Sequence, residues 1–140
     1  RIRRPRRRPD SADRLRLHGE RTYPELLAAY RAVDIALDPF PFSGCTTTCD
    51  ALYMGAAVVT LPGETFVSRQ SASLLERLGR GAWIAADRGG YVDRAVALAA
   101  DAASLRRERE ALRAAVEFRL CDASAQARDF AALLDALCGR

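Results

Sequence analysis

The stretch VDIALDPFPFSGCTTTCDALYMGAAVVTL, residues 33–61, decides how this chain folds. VDIALD is a compact apolar run, and Pro39 and Pro41 end it within six residues, so it reads as a buried strand rather than a helix. Neither proline donates to a sheet ladder, which makes residues 38–43 a loop leaving the sheet. Ala51, Leu52 and Tyr53, with Gly55 just beyond Met54, predict a helix over 47–54 closed by a glycine stop. The β-branched run AAVVTL, 56–61, is a second core strand, and Pro62-Gly63 turns the chain out of it.

Outward from this unit the same alternation continues. Upstream, RLRLHG (14–19) alternates as a short strand does, and Pro24 with Leu26, Leu27 and Tyr30 marks a short helix. Downstream, a helix is expected from about Val67 to its stop at Gly79, then a third short strand in WIAAD (83–87). Two or three helices are expected to close the chain, over YVDRAVALAADAASL, LRREREALRAAVEF and SAQARDFAALLDAL. Strands alternating with helices define an α/β fold, a parallel sheet covered by helices on both faces.

The chain has 140 residues, 49% of them hydrophobic, which suits one domain with one core. No run approaches the roughly 18 apolar residues of a membrane span, and no apolar segment of a secretion signal follows the first arginines. Four cysteines without CxxC spacing and a single histidine, His18, predict a reduced, cytoplasmic protein with no metal site, even though Cys45 and Cys49 stand four apart. Six of the first eight residues are arginine; with those six removed from the formal charge of +4, the remainder is left at −2. Residues 1–12 are therefore expected to be a basic, solvated tail or linker and residues 13–140 the folded domain, with nucleic acid not expected as its partner.

Ligands of open parallel sheets bind beyond the carboxyl ends of the strands, where loops feed helix N-termini. The stretch from Asp38 to Thr48 is such a loop. The first amides of a helix lack partners within it, and the dipole favours an anion there, phosphate above all. Gly44 would let the backbone come close, and the hydroxyls of Thr46 and Thr47 would donate to phosphate oxygens. One turn on, the carboxylate of Asp50 suits a ribose diol. On residue chemistry alone a second reading stands beside this one: a threonine acting as an ordinary N-cap, with Asp50 a helix acid favoured by the dipole.

Taken together, DPFPFSGCTTTCDALYMG, LPGETFVSR, IAADRGGYVDRAVALAADAASLRREREALR and CDASAQARDFAALLDAL resemble the C-terminal catalytic region of the O-GlcNAc transferase family, including its bacterial relatives and the SPINDLY-type O-fucosyltransferases. The resemblance runs from about Arg14 to the end. It implies the Rossmann-like, nucleotide-sugar-binding half of a GT-B glycosyltransferase, with Thr46 and Thr47 on the diphosphate and Asp50 on the ribose. Cys45 falls where animal enzymes have a histidine. Tyr23 and Leu26 fall where they have a lysine and a histidine against the nucleotide, so Tyr23 is expected to stack on the base and Leu26 to pack one edge of it. Arg69 matches a recurrent arginine, bracing its loop or approaching the sugar phosphates, and Phe42 either walls the donor cleft or plugs the sheet edge, as does Phe40.

The activity so implied is inverting, metal-independent transfer of a sugar, N-acetylglucosamine from UDP-GlcNAc, to serine or threonine hydroxyls of an acceptor protein. No cofactor is implied and no catalytic residue lies in this chain. The reaction's other groups belong to an N-terminal Rossmann-like domain, and tetratricopeptide repeats accompany it in the family, so a piece of a larger protein or a truncated remnant, inactive alone, is expected. GDP-fucose as donor, a non-catalytic binding or assembly domain, and nucleic-acid association through the arginine tail are the competing readings. Trp83 is expected to pack at a strand start, His18 to lie at a strand end, and Glu64 to open the following helix.

Overall fold

The computed structural model describes residues 14–139, so the reading of the arginine-rich tail falls outside them. Helix α1 (Tyr23–Tyr30), strand β1 (Ile35–Leu37), helix α2 (Thr46–Tyr53) and strand β2 (Ala57–Val59) follow one another as the opening stretch predicts. Helices α3 (Gln70–Arg77), α4 (Arg88–Ala100), α5 (Ala102–Arg119) and α6 (Ala123–Cys138) complete the chain, with 3₁₀ turns at Phe66–Ser68 and Gly81–Trp83.

β1 and β2 pair in parallel, Ile35 opposite Ala57 and Leu37 opposite Val59. With α2 between them they form a β-α-β crossover. β2 is buried along its length, whereas Leu37 of β1 is 58% exposed, which leaves β1 at the edge. Thr48, Ala51 and Leu52 are the buried residues of α2, which packs on Leu112 and Val116 of α5. Leu75 and Leu78 from the α3 region and Trp83 complete the core. Fully burying a leucine such as Leu52, Leu75 or Leu112 is worth about 1.5–3 kcal/mol, so these three anchor α2, α3 and α5 to one another.

Arg109 ties α5 to the crossover. Its guanidinium donates to the carbonyls of Met54, at 3.1 Å, and Val33, capping the end of α2 and the approach to β1. Gly55, at φ +79°, lets the chain turn beneath it: a Cβ there would lie 2.7 Å from the Arg109 carbonyl oxygen.

Three expected elements differ. No strand forms over 14–19; Leu15 and Leu17 are exposed, no strand among the described residues pairs with the segment, and His18 sits in irregular chain beside Arg21. The third strand is reduced to one parallel bridge between Thr60 and Ile84. The Trp83 amide is bonded to Arg80 within a 3₁₀ turn and Asp87 already caps α4 through the Gly90 amide, which leaves only Ile84 and Ala85 extended beside Thr60. Trp83 is nonetheless core, 8% exposed. The helix expected from Val67 begins at Gln70, because the Val67 carbonyl accepts from the Ser43 amide and hydroxyl and the Ser71 amide donates to Ser43 Oγ. Thr65 and Ser68, not Glu64, form the box that starts the 3₁₀ turn.

Candidate functional site

The loop between β1 and α2 is closed by a buried carboxylate. Asp38, 5% exposed at the end of β1, accepts from the Gly44 amide at 2.7 Å through Oδ1 and from the Thr60 hydroxyl at 2.6 Å through Oδ2. Its carbonyl accepts from the Tyr91 hydroxyl of α4 at 2.8 Å. The loop residues 39–43 are thus strapped between β1, β2 and α4. A Cβ on Gly44 would lie 2.6 Å from Thr48 Oγ1 and 2.8 Å from Thr47 Oγ1, so only glycine lets the loop close this tightly on the start of α2.

The three threonines divide by helical rotation. Thr48 points inward, and its hydroxyl is 2.8 Å from that of Ser71, which in turn donates to the Gly44 carbonyl at 2.9 Å. Ser71 has one proton to give; it goes to the carbonyl, and Thr48 is the donor to Ser71. Thr46 and Thr47 are exposed. Cys45 is the N-cap residue and its side chain makes no cap hydrogen bond. The first closing bond of the helix runs from the Cys49 amide to the Cys45 carbonyl. Among the described residues no side chain or loop carbonyl accepts from the amides of Thr46 or Thr47. This is a helix start with donors still to be satisfied, on an exposed edge of the fold.

Asp50 lies one turn along the same face, three residues from Thr47 and four from Thr46. Tyr23, the first residue of α1, donates its hydroxyl to Asp50 Oδ1 at 2.9 Å, and Tyr30, from the other end of α1, reaches the Thr47 carbonyl at 3.3 Å. The Asp50 carboxylate holds the Tyr23 phenol above its ordinary value, chiefly through this hydrogen bond; burial and then the same charge raise Tyr30. Cys49 is raised as well, by burial first and then by Cys45, Asp50 and Cys121, which keeps it a neutral thiol.

A cleft of about 90 Å³ runs from Thr47 and Thr48 to Tyr30 and Pro39. On the other flank a larger hollow of about 370 Å³ joins Cys45 to Phe66, Arg69, Gln70 and Leu74. Arg69 forms no ion pair among the described residues. Phe40 packs edge-on to Tyr91, ring centroids 5.3 Å apart, and carries the Arg88 guanidinium over its face, while Phe42 stands out at 66% exposure. Leu26 is half-buried in a separate hollow beside His18, Gly19 and Arg21. Gly44, Cys45, Thr46, Thr47, Asp50 and Tyr23 thus converge on the start of α2; Arg69 reaches them through Cys45, and Leu26 lies apart.

Asp38, Ser43 and Ser71, which hold the loop, and Tyr30, which reaches the first turn of α2, were not singled out from the sequence as site residues. A signal for Thr48 existed: it precedes Ala51 and Leu52 by three and four residues and so shares their inward face.

A parallel β-α-β unit defines an α/β fold, here with a glycine turn, helix-start amides that no described residue claims, two outward hydroxyls and a carboxylate one turn on. Residues 25–129 match the model of glycosyl transferase family 41, and the chain belongs to that family. It is 42% identical over 87 residues to the rice protein named probable UDP-N-acetylglucosamine--peptide N-acetylglucosaminyltransferase SPINDLY, covering 62% of this chain and 9% of that one. The tomato protein of the same name is 40% identical over 97 residues, 69% of this chain and 10% of its own length. A solved structure of a lysine-to-methionine mutant of Thermobaculum terrenum O-GlcNAc transferase superposes with a TM-score of 0.76 at 39% identity, covering 89% of this chain and 24% of that one. The chain thus spans about a tenth of these plant relatives and a quarter of that structure. Among the described residues no helix is long and apolar enough to cross a membrane.

Proposed function

We propose that this chain supplies the donor-holding part of a protein O-glycosyltransferase that moves N-acetylglucosamine from UDP-GlcNAc to serine or threonine hydroxyls. The observation that carries this reading is the start of α2, where no described residue accepts from the amides of Thr46 and Thr47, both residues are exposed, and Asp50 follows on the same face. The names of the similar proteins, which specify UDP-N-acetylglucosamine and O-GlcNAc transfer, agree with it.

In this account the amides and hydroxyls of Thr46 and Thr47 receive the diphosphate, and Asp50 accepts from a ribose hydroxyl. As the glycosidic bond breaks, negative charge grows on the leaving diphosphate. Donors fixed in advance answer that charge without reorganising, so the step needs no divalent ion to neutralise it. Inversion at the sugar follows if the acceptor hydroxyl attacks from the face opposite the diphosphate. The attacking side, the base and the acceptor-binding surface come from a further domain, and this chain by itself binds donor without turning it over. The hollow beside Cys45 and Arg69 lies next to the diphosphate loop, where the sugar leaves it.

Titrating UDP, UDP-GlcNAc and GDP into the chain by calorimetry tests the reading. Saturable binding of a nucleoside diphosphate, lost in Asp50→Ala, supports it, and the stronger of UDP and GDP identifies the donor class. Absence of binding to all three, in a folded protein, removes it.

A further inference from the structure

α1 is built to present two phenols to α2. Thr22 and Glu25 form a capping box, the Thr22 amide and hydroxyl donating to Glu25 Oε2 at 2.9 and 2.8 Å, and Pro24 follows in the first turn. These features fix where the helix begins and hence where Tyr23 stands. Seven residues on, two turns along the same face, Tyr30 donates to the Thr47 carbonyl. One short helix therefore holds both the backbone of the helix start and the side chain of Asp50.

The contact to Asp50 has a chemical consequence that the one to Thr47 lacks. A carboxylate on an exposed helix face rotates about its last torsion and presents either oxygen. The Tyr23 hydroxyl, 57% exposed as a residue and bonded at 2.9 Å, takes up Oδ1 and stops that rotation. Among the described residues Oδ2 accepts no hydrogen bond, so one oxygen is left, held in one direction. Because the phenol is neutral, the pair keeps the full negative charge of Asp50. A neighbouring ammonium would orient the acid equally well and cancel that charge. A fixed, uncompensated carboxylate oxygen is a strong acceptor for a neutral hydroxyl and repels any second anion.

We infer that Tyr23 is a positioning residue: through its 2.9 Å hydrogen bond it aims the free oxygen of Asp50, and so makes the site select ribonucleoside diphosphates over nucleotides that lack the ribose hydroxyls. This rests on the donor-site reading above and adds to it a residue and a selectivity. This is a role for the Tyr23 hydroxyl, which meets the acid, and is separate from the base-stacking role its sequence position suggested for the ring.

The test compares the whole 140-residue chain with its Tyr23→Phe variant, titrating each with UDP and with 2′,3′-dideoxyuridine diphosphate. Loss of one hydrogen bond to a charged group is expected to weaken UDP binding in Tyr23→Phe roughly five- to thirtyfold. Dideoxy-UDP, which has no hydroxyl for Asp50, should bind both proteins alike. If Tyr23→Phe weakens both ligands equally, the tyrosine only braces α1 and the inference is overturned; it is overturned too if neither affinity changes. A wild-type chain that binds neither UDP nor GDP overturns the donor-site reading itself, a result distinct from either of these.

Discussion

Asp38 and Gly44, six residues apart, are joined by a 2.7 Å hydrogen bond from the glycine amide to the buried carboxylate. The bond turns the chain back on itself between β1 and α2, and Thr60 holds the other carboxylate oxygen. Asp38→Ala leaves the Gly44 amide and the Thr60 hydroxyl without partners. We expect a loss of about 2–4 kcal/mol of stability in urea unfolding, with unfolding still cooperative. A loss within about 0.5 kcal/mol, as for a plain surface substitution, would show that the carboxylate is not the strap.

Gly44→Ala places a methyl group 2.6 Å from Thr48 Oγ1. The loop must move away from α2, at a cost of about 1–3 kcal/mol. Since Ser71 donates to the Gly44 carbonyl, the displacement also opens the chain from Thr48 through Ser71. Amide hydrogen exchange at Ser71 and the first turn of α2 should quicken in this variant, while exchange in α6 stays as it was.

Thr47→Val removes a hydroxyl from an exposed residue, one with no hydrogen-bond partner among the described residues, so the melting temperature should hold. In a longer protein that includes the domain completing the active site, turnover should fall about 10²–10³-fold, as when one fixed donor to a developing anion is lost. Unchanged turnover there takes the Thr47 hydroxyl out of the reaction.

The tyrosines give a pH prediction. Tyr23 is raised above the ordinary phenol value of 10.0 mainly by its hydrogen bond to Asp50, and Tyr30 and Tyr91 are raised chiefly by burial. A group whose folded value is raised contributes stability that is whole below its unfolded value and is lost as the pH climbs through the folded one. The Tyr23 contact should therefore be intact from neutral pH up to about 10 and fail above it. Phenolate absorbance followed between pH 8 and 12 should show a late-titrating group that vanishes in Tyr23→Phe.

The crossover at the heart of the fold was legible because VDIALD and AAVVTL are apolar runs bounded by prolines and glycines, and nothing else in the chain competes with that pattern. The exposed half of the candidate site was legible as a placement for a similar reason: Gly44, Thr46, Thr47 and Asp50 carry recognisable chemistry at a strand-to-helix junction, and they do meet at the start of α2. What escaped were features decided by single hydrogen bonds between distant residues. WIAAD has strand composition, yet the Arg80 carbonyl takes the Trp83 amide, and one bridge to Thr60 is all that remains. Val67 fits a helix pattern, but Ser43, from a loop two dozen residues earlier, holds its carbonyl. Tyr23 looked like a flat ring for stacking, and only the placement of α1 against α2 shows its hydroxyl meeting Asp50.

The account rests on the start of α2 receiving a diphosphate, and calorimetric titration of UDP into the folded 140-residue chain measures that directly, with Asp50→Ala beside it. It predicts saturable, exothermic binding by the wild type and loss of roughly tenfold or more of that affinity in the variant. Binding that is indifferent to Asp50, or a folded wild-type chain that takes up neither UDP nor GDP, contradicts it.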